Sequence, residues 1–406
     1  MKKKFGKRGS YTVFLTMFMS GMLIMAGAVI NAAHMMAIDS SAEDLGRVWA
    51  NSIIGEYDIV LKERYGLMGY YGNQKMVEDK LIRYSDYTYK SKKYIKVGAI
   101  NCHLKEYKLS DPEIFREQIR KTILTFHRPK AIEDDVPVEN QEEEGGGNRE
   151  ERPRRITSGW LKEGLPSRTS NLKSGGADPL TSFYETAYIF KFFKDHVDKR
   201  DLGKTYFENE IEYIISGKLD DEKARKSVYR KLLVERNGLN LAYLYSCSTK
   251  RNAALEAAEL LTPGPEAAIT QAIILEAWAL LEAMTDMELL YDGEKVPLIK
   301  GDDNWALSLE NAVDYVSDKT SGELDTAEDK KYVRPKSIEG QKYEDYLKTL
   351  LLAVPEKHKI LRMMDLIQIN MKYTYCGFFL MDDYYTGLEY EMEVNGKEHV
   401  FKAMYG

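Results

Sequence analysis

The sequence predicts an α+β protein, helix-rich, with a transmembrane helix at its N-terminus and a body on the far side of the membrane. Three observations predict it. No Asp, Glu, Lys or Arg occurs from Gly9 to Ile38, and about 20 such residues span a bilayer's hydrocarbon core as a helix. Apolar residues then recur at helical spacing from Ile38 to Leu61, and further helices are expected along the chain. Near the C-terminus, Asn395-Gly396 separates two alternating segments, the pattern of a type I′ hairpin.

Taken in order, residues 1–38 read as a basic cytoplasmic tail and the membrane helix. Lys2, Lys3, Lys4, Lys7 and Arg8 precede the apolar run and Asp39, Glu43 and Asp44 follow it. That asymmetry sets the N-terminus in the cytoplasm and the rest outside the cell membrane. Ala26-Gly27-Ala28 has the form of a signal-peptidase site. The apolar run is much longer than a signal peptide's h-region, which favours a retained anchor. Ser20, Gly21 and Gly27 allow close approach of a neighbouring helix.

Residues 39–131 form the next segment. Ile38, Ala42, Leu45, Trp49, Ile53, Tyr57 and Leu61 continue one helical stripe, so the anchor is expected to run on as an amphipathic stalk to about Tyr65. Gly66, Gly69 and Gly72 end it. Tyr94 to Leu109 reads as strand. Ser110-Asp111-Pro112-Glu113 follows, with Ser110 as N-cap, opening a helix to about Phe126. Residues 132–179 change character: an acidic-glycine run, Glu142 to Gly147, then Arg149, Arg152, Arg154 and Arg155. With few apolar residues to offset the ordering cost, this stretch reads as a disordered linker or insertion, Trp160 and Leu161 being its apolar marks.

Residues 180–406 read as a helix-rich α+β body. Helices are expected over 180–197, 220–247, 252–261, 266–290 and 343–371, with Pro355 kinking or splitting the last. Tyr206 to Ile215 alternates and reads as strand. Helix 266–290 is apolar around most of its circumference. Glu276, Glu282, Asp286 and Glu288 make a second membrane span costly there, so it reads as a core helix. Leu388 to Val394 and Val400 to Met404 close the chain as the hairpin.

Composition excludes some functions. Net charge is −6 with the acid spread along the chain, so no basic face suggests nucleic acid binding. Cys102, Cys247 and Cys376 are too few and too far apart for a disulfide scaffold; one bridge or three free thiols both fit. There is no phosphate-cradling loop, nucleophile elbow or zinc-protease helix, and the six histidines have no ligand-like spacing. Cys102 and His103 are adjacent, so a strand points them apart. Asp302-Asp303 and Asp382-Asp383 lack the alternating oxygen ladder of a calcium loop. No catalytic residue, metal ligand or cofactor is therefore assigned. The tyrosine groups around Tyr70, Tyr87 and Tyr384 read as half-buried packing, with an exposed shelf for glycan or a partner subunit as the other option.

The N-terminal features resemble tight-adherence (Flp) pilus minor subunits and pseudopilins of the TadE/TadG kind. The resemblance is carried by the basic start, Gly9-Ser10-Tyr11-Thr12-Val13-Phe14, the uncharged helix, and Ile38 to Leu45. Lys295 to Leu309 and Leu361 to Asn370 resemble an uncharacterised clostridial membrane family that accompanies such pilus clusters. The resemblance implies processing between Gly9 and Ser10. It also implies pilin or pilus-assembly partners in the bilayer, and self-association through anchor and stalk. Phe14 stands at the fifth position after that site, where pilins carry a Glu, which makes TadG-like members the closer comparison. The expected function is a non-enzymatic, minor-pilin-like or scaffold component of a tight-adherence pilus. The alternative is a membrane-tethered surface hydrolase, its carboxylates drawn from the Asp302 and Asp382 turns, or a ligand-binding surface module.

Overall fold

The structure is a computed structural model and describes residues 8–92, 94–127, 162, 164–169, 179–200, 202–321 and 339–405. It divides into two units, residues 1–118 with 380–406 and residues 119–379. The C-terminal hairpin, grouped by the sequence reading with the body 180–406, thus belongs with the N-terminal segment.

The first unit is built on α1 (Arg8–Ile54), 47 residues of unbroken helix. From Tyr11 to Ala37 every side chain is exposed, and from Ile38 the stripe Ile38, Ala42, Trp49, Ala50 and Ile53 is buried. The stripe lies against an antiparallel sheet of β2 (Val97–His103), β4 (Gly387–Val394) and β5 (Lys397–Met404), in the order β2-β4-β5. Strand alternation puts Leu388, Tyr390, Met392, Phe401 and Ala403 on the covered face. Asn395 and Gly396 both have positive φ, 50° and 84°, as a type I′ turn requires.

The stalk does not run unbroken to Tyr65. It stops at Ile54 and resumes as α2 (Ile59–Tyr65) because the Asp58 carboxylate accepts the Leu61 N–H at 2.9 Å and caps a new helix. Gly66, at φ 67°, closes α2 with its N–H on the Lys62 carbonyl. A two-residue ladder, β1 (Tyr70–Tyr71) on β3 (Tyr384–Tyr385), ties this region to the C-terminal segment. Helix α3 (Gln74–Tyr89), to which the sequence reading gave no element, is capped by Asn73 and buries Val77, Leu81 and Tyr89. The strand read over 94–109 is shorter: Lys105–Tyr107 is a 3₁₀ turn. Helix α4 (Pro112–His127) is capped by Asp111, which accepts the Glu113 N–H at 2.8 Å. Ser110, expected to be the cap, donates its hydroxyl to Asp382 at 2.7 Å instead.

The second unit is helical. Its described elements are α5 (Pro166–Thr169), α6 (Pro179–Phe192), α7 (Glu210–Ser216), α8 (Asp221–Ser246), α9 (Ser248–Leu261), α10 (Ala267–Tyr291), α11 (Leu309–Ser321), α12 (Tyr343–Leu352) and α13 (Glu356–Thr374). Pro355 splits the last two, as its ring demands. The stretch Tyr206 to Ile215, read as strand, carries α7 instead. Every residue from Glu210 to Ile215 is buried, so the helix shows no amphipathic period and its aromatic and β-branched content suggested a strand. Most of 132–179, including Trp160 and Leu161, lies outside the described residues. Residues 164–169, which are described, are packed: Leu165 is buried, and the Ser167 N–H bonds Asp365 at 3.0 Å.

Candidate functional site

The sequence placed its functional residues on the first helix, and the structure shows what surrounds them. Gly9 and Ser10 fall in the first turn of α1, which Arg8 opens; Lys2, Lys3, Lys4 and Lys7 lie outside the described residues. The Ser20 hydroxyl bonds back to the Thr16 carbonyl at 2.8 Å, so it presents no free donor. A Cβ built on Gly21 or Gly27 would meet nothing within 4 Å. Both faces are open, and α1 is long and apolar enough to cross a membrane.

The seat of this helix is built by a few specific contacts. Gly46 lies flat on the Phe401 ring, where any Cβ would overlap the ring. Tyr390 donates its hydroxyl to the Gly46 carbonyl at 2.8 Å, and Lys397 pairs with Asp39 at 2.6 Å. Tyr405 donates to the Ile54 carbonyl. Trp49 meets Tyr89 edge-on at 6.0 Å. These contacts hold the helix against the sheet and α3 from Asp39 to Ile54.

Each acidic turn is engaged by a cation and a hydroxyl of its own unit. Asp302 accepts from Tyr243 at 2.9 Å and pairs with Lys250 at 3.3 Å, and these hydrogen bonds hold its carboxyl below the usual range. Asp382 is held by Lys108 at 2.6 Å and by Ser110. Each is occupied within its own unit. Cys102 is buried, its thiol pushed up to about 12 by burial and by Glu78, while His103 is exposed on the opposite face. The three cysteines are free thiols, Cys247 and Cys376 half-buried. Of the tyrosines, Tyr70, Tyr89, Tyr384 and Tyr385 are buried and Tyr71, Tyr87, Tyr94 and Tyr375 exposed.

What the sequence reading missed lies in the second unit. Arg236, Glu282, Asp286 and Lys300 are all inaccessible to solvent and form one ion network. Arg236 grips Asp286 at 2.8 and 3.0 Å and donates to the carbonyls of Pro297 and Leu298. Lys300 bridges Asp286 and Glu282, and Glu282 also accepts the N–H groups of Ala306 and Leu307 at 2.8 and 2.9 Å. The stretch Lys295 to Leu309 is thereby pinned onto α8 and α10. Leu361 to Asn370 does the same elsewhere: Arg362 caps the Ile214 carbonyl, Asp365 accepts the Tyr213 hydroxyl at 2.6 Å, and Asn370 donates to Glu210. The two stretches that carry the family resemblance are thus the buried polar clamps of the unit. Glu282 and Asp286, four apart on an apolar helix, are the sequence signal that could have found the ion network.

One cleft contains perturbed acids. A cavity of about 480 Å³ is lined by Asp195, Arg200, Tyr343 and Glu344 among others. Asp198 neutralises Arg200 with a side-on pair. Asp195 is nine-tenths buried and its carboxyl is raised, chiefly by that burial. Behind Tyr343 sits Glu212, fully buried, accepting the Tyr343 hydroxyl at 2.8 Å and the His196 N–H at 3.0 Å on one oxygen, while the other has no partner among the described residues. Burial pushes the Glu212 carboxyl up to about 7. Among the described residues no group of three or more His, Cys, Asp or Glu could hold a metal ion.

Neither the curated proteins nor the solved structures include a match to this chain. A family model matches residues 133–396, most of the chain, and the protein belongs to that family, described as a family of unknown function, DUF5702.

Proposed function

We propose that the chain is a non-enzymatic, membrane-anchored component of a surface assembly of the tight-adherence pilus kind, minor-pilin-like or scaffolding. Its N-terminus lies in the cytoplasm and its body outside. The observation that carries this reading is the division of α1: 11–37 is exposed and apolar, meeting the Tyr94 ring at His34, 38–54 is bolted to a sheet, and no break separates them. Such a helix transmits any lateral contact in the bilayer directly to the body. Lipid and the apolar helices of pilin or assembly subunits are the natural cover for the bare half, since its small residues let a neighbour approach closely. The charge asymmetry around the span supports the orientation.

The test is the N-terminal mass of the chain from native membranes, together with its presence in sheared surface filaments. A new N-terminus at Ser10 with recovery in filaments fits a processed subunit. An intact, membrane-retained chain fits a scaffold. Cleavage after Ala28 with release overturns the reading.

A second reading, a tethered hydrolase, draws on the cleft, because a buried acid titrating near neutrality behind a tyrosine is what a proton donor needs. Release of reducing ends from cell-wall polymer by the full chain, lost in Glu212→Gln, would establish it; no release would dismiss it.

A further inference from the structure

The two edges of the β2-β4-β5 sheet are treated differently. In an antiparallel ladder, bonded pairs alternate with non-bonded ones. The Tyr405 N–H on the Thr386 carbonyl fixes the alternation for β4 and β5. Lys397, His399, Phe401 and Ala403 therefore bond inward to β4. The N–H and C=O groups of Glu398, Val400, Lys402 and Met404 point away from the sheet, and no partner for them occurs among the described residues. The opposite edge is closed: the register of β2 shifts between Val97 and Ile100, and the Cys102 N–H is taken by Glu78 at 3.1 Å. Bulges and side-chain plugs of that kind are how sheets prevent edge pairing. On β5 no such plug occurs among the described residues, and Val400 and Met404 are 58% and 52% exposed.

We infer that β5 pairs antiparallel with β5 of a second copy, with Val400 opposite its own equivalent. The charges choose that occupant. In this register Glu398 of each copy faces Lys402 of the other, on the same exposed face, and Met404 faces the turn glycine Gly396. All the facing residues are ones whose backbone groups point outward, so the central pairs each exchange two backbone hydrogen bonds. Within one chain Glu398 stands opposite Glu393, a like-charge pair that an incoming lysine relieves. Shifting the register by two residues removes both opposite-charge pairs.

The same geometry fixes where the two copies come from. Helix α1 runs along β5 in the same direction, since Asp39 meets Lys397, Gly46 meets Phe401 and Ile54 meets Tyr405. Antiparallel strands therefore carry antiparallel α1 helices, and the two bare segments leave at opposite ends. Two copies anchored side by side in one membrane cannot meet this way. Copies on facing membranes can. The strand pairing stands on the edge alone; the joining of two membranes rests on the anchoring proposed above.

The test uses the full-length chain in two sets of vesicles distinguished by affinity tags, with Val400→Cys in a Cys247→Ser, Cys376→Ser background and copper phenanthroline as oxidant. Facing Cα atoms at a bonded antiparallel pair lie about 5.5 Å apart, within disulfide reach. The expected result is a disulfide dimer containing both tags, with clustering of the vesicles. Glu398→Lys should lower the dimer yield about ten-fold, and adding Lys402→Glu should restore it, because two charge pairs are first reversed and then remade. Val400→Pro, which removes an N–H that no β4 group uses, should abolish clustering by the otherwise unaltered chain. Absence of the dimer both in vesicles and in detergent overturns the pairing. A dimer confined to one tag overturns the facing-membrane arrangement, and failure of the double reversal to restore yield overturns the register. Flotation of the chain with its vesicles checks the anchor separately: a chain that fails to float breaks the anchoring, and the detergent dimer then decides the pairing.

Discussion

The two units bury their cores by opposite means. In the first, an apolar stripe of α1 lies on an apolar sheet face, and ion pairs such as Lys397–Asp39 and Lys108–Asp382 stay at the periphery. In the second, Arg236, Lys300, Glu282 and Asp286 sit wholly inside, and Glu212 and Asp365 are buried elsewhere in the unit. A seat built from apolar contacts and one ring against one glycine tolerates charge changes but not volume changes. A core organised by ion networks has the reverse sensitivity. The difference suits a helix that must be held rigidly along its length, against a body whose loops must be pinned individually.

The largest effect that should separate the units is Arg236→Ala. It leaves a buried carboxylate and two backbone carbonyls short of donors, and a broken buried pair costs about 3–5 kcal/mol. Urea unfolding should show a transition of the second unit moved to lower denaturant, with amide exchange in β4 and β5 unchanged. Next comes the pH dependence. Glu212 is raised to about 7 in the folded state, so between the unfolded carboxyl range and 7 the folded chain binds more protons. Stability from this group is therefore greatest at low pH and falls as pH rises through 7. The shift corresponds to roughly 3 kcal/mol at most. Thermal melts at pH 5.5 and pH 8 should differ in that direction, and Glu212→Gln should flatten the difference. Asp195 and Asp365, also raised by burial, act with the same sign.

Smaller, and confined to the first unit, is Gly46→Val. The added carbons must displace the Phe401 ring, an overpacking worth about 1–3 kcal/mol, read as faster exchange at β5 amides with the second unit unmoved. Smallest is Asp382→Asn. Its partner Lys108 is partly solvated, and exposed pairs of this kind contribute little, so the unfolding midpoint should stay within error. A large loss there would blur the contrast between the units.

Much of this was legible in the sequence, for reasons that differ by residue. The span, the stripe beyond it and the Asn395-Gly396 turn are local signals, read from neighbours in the chain. The helix break at Asp58 and the capping of α4 by Asp111 each depend on one side chain winning a backbone N–H, and spacing does not decide such contests. Helix α7 was misread because a segment buried on all sides has no period to read. The buried ions were visible only as a misfit, acidic residues at helical spacing on an apolar helix; their partners Arg236 and Lys300 come from distant stretches. The open edge of β5 was not legible at all, since it depends on which strand lies beside which.

We propose one helix that is covered by lipid over 11–37 and locked to a sheet over 38–54. Nitroxide labels placed singly from Tyr11 to Ile54 in the bilayer-reconstituted chain test it most directly. Relaxation by oxygen is expected around the whole circumference of the exposed segment. A 3.6-residue rhythm of protection should begin at Ile38, with minima at Ala42, Trp49 and Ile53. Access of a water-soluble relaxant throughout 11–30, or protection at Ala42 and Trp49 no greater than at their neighbours, would contradict it.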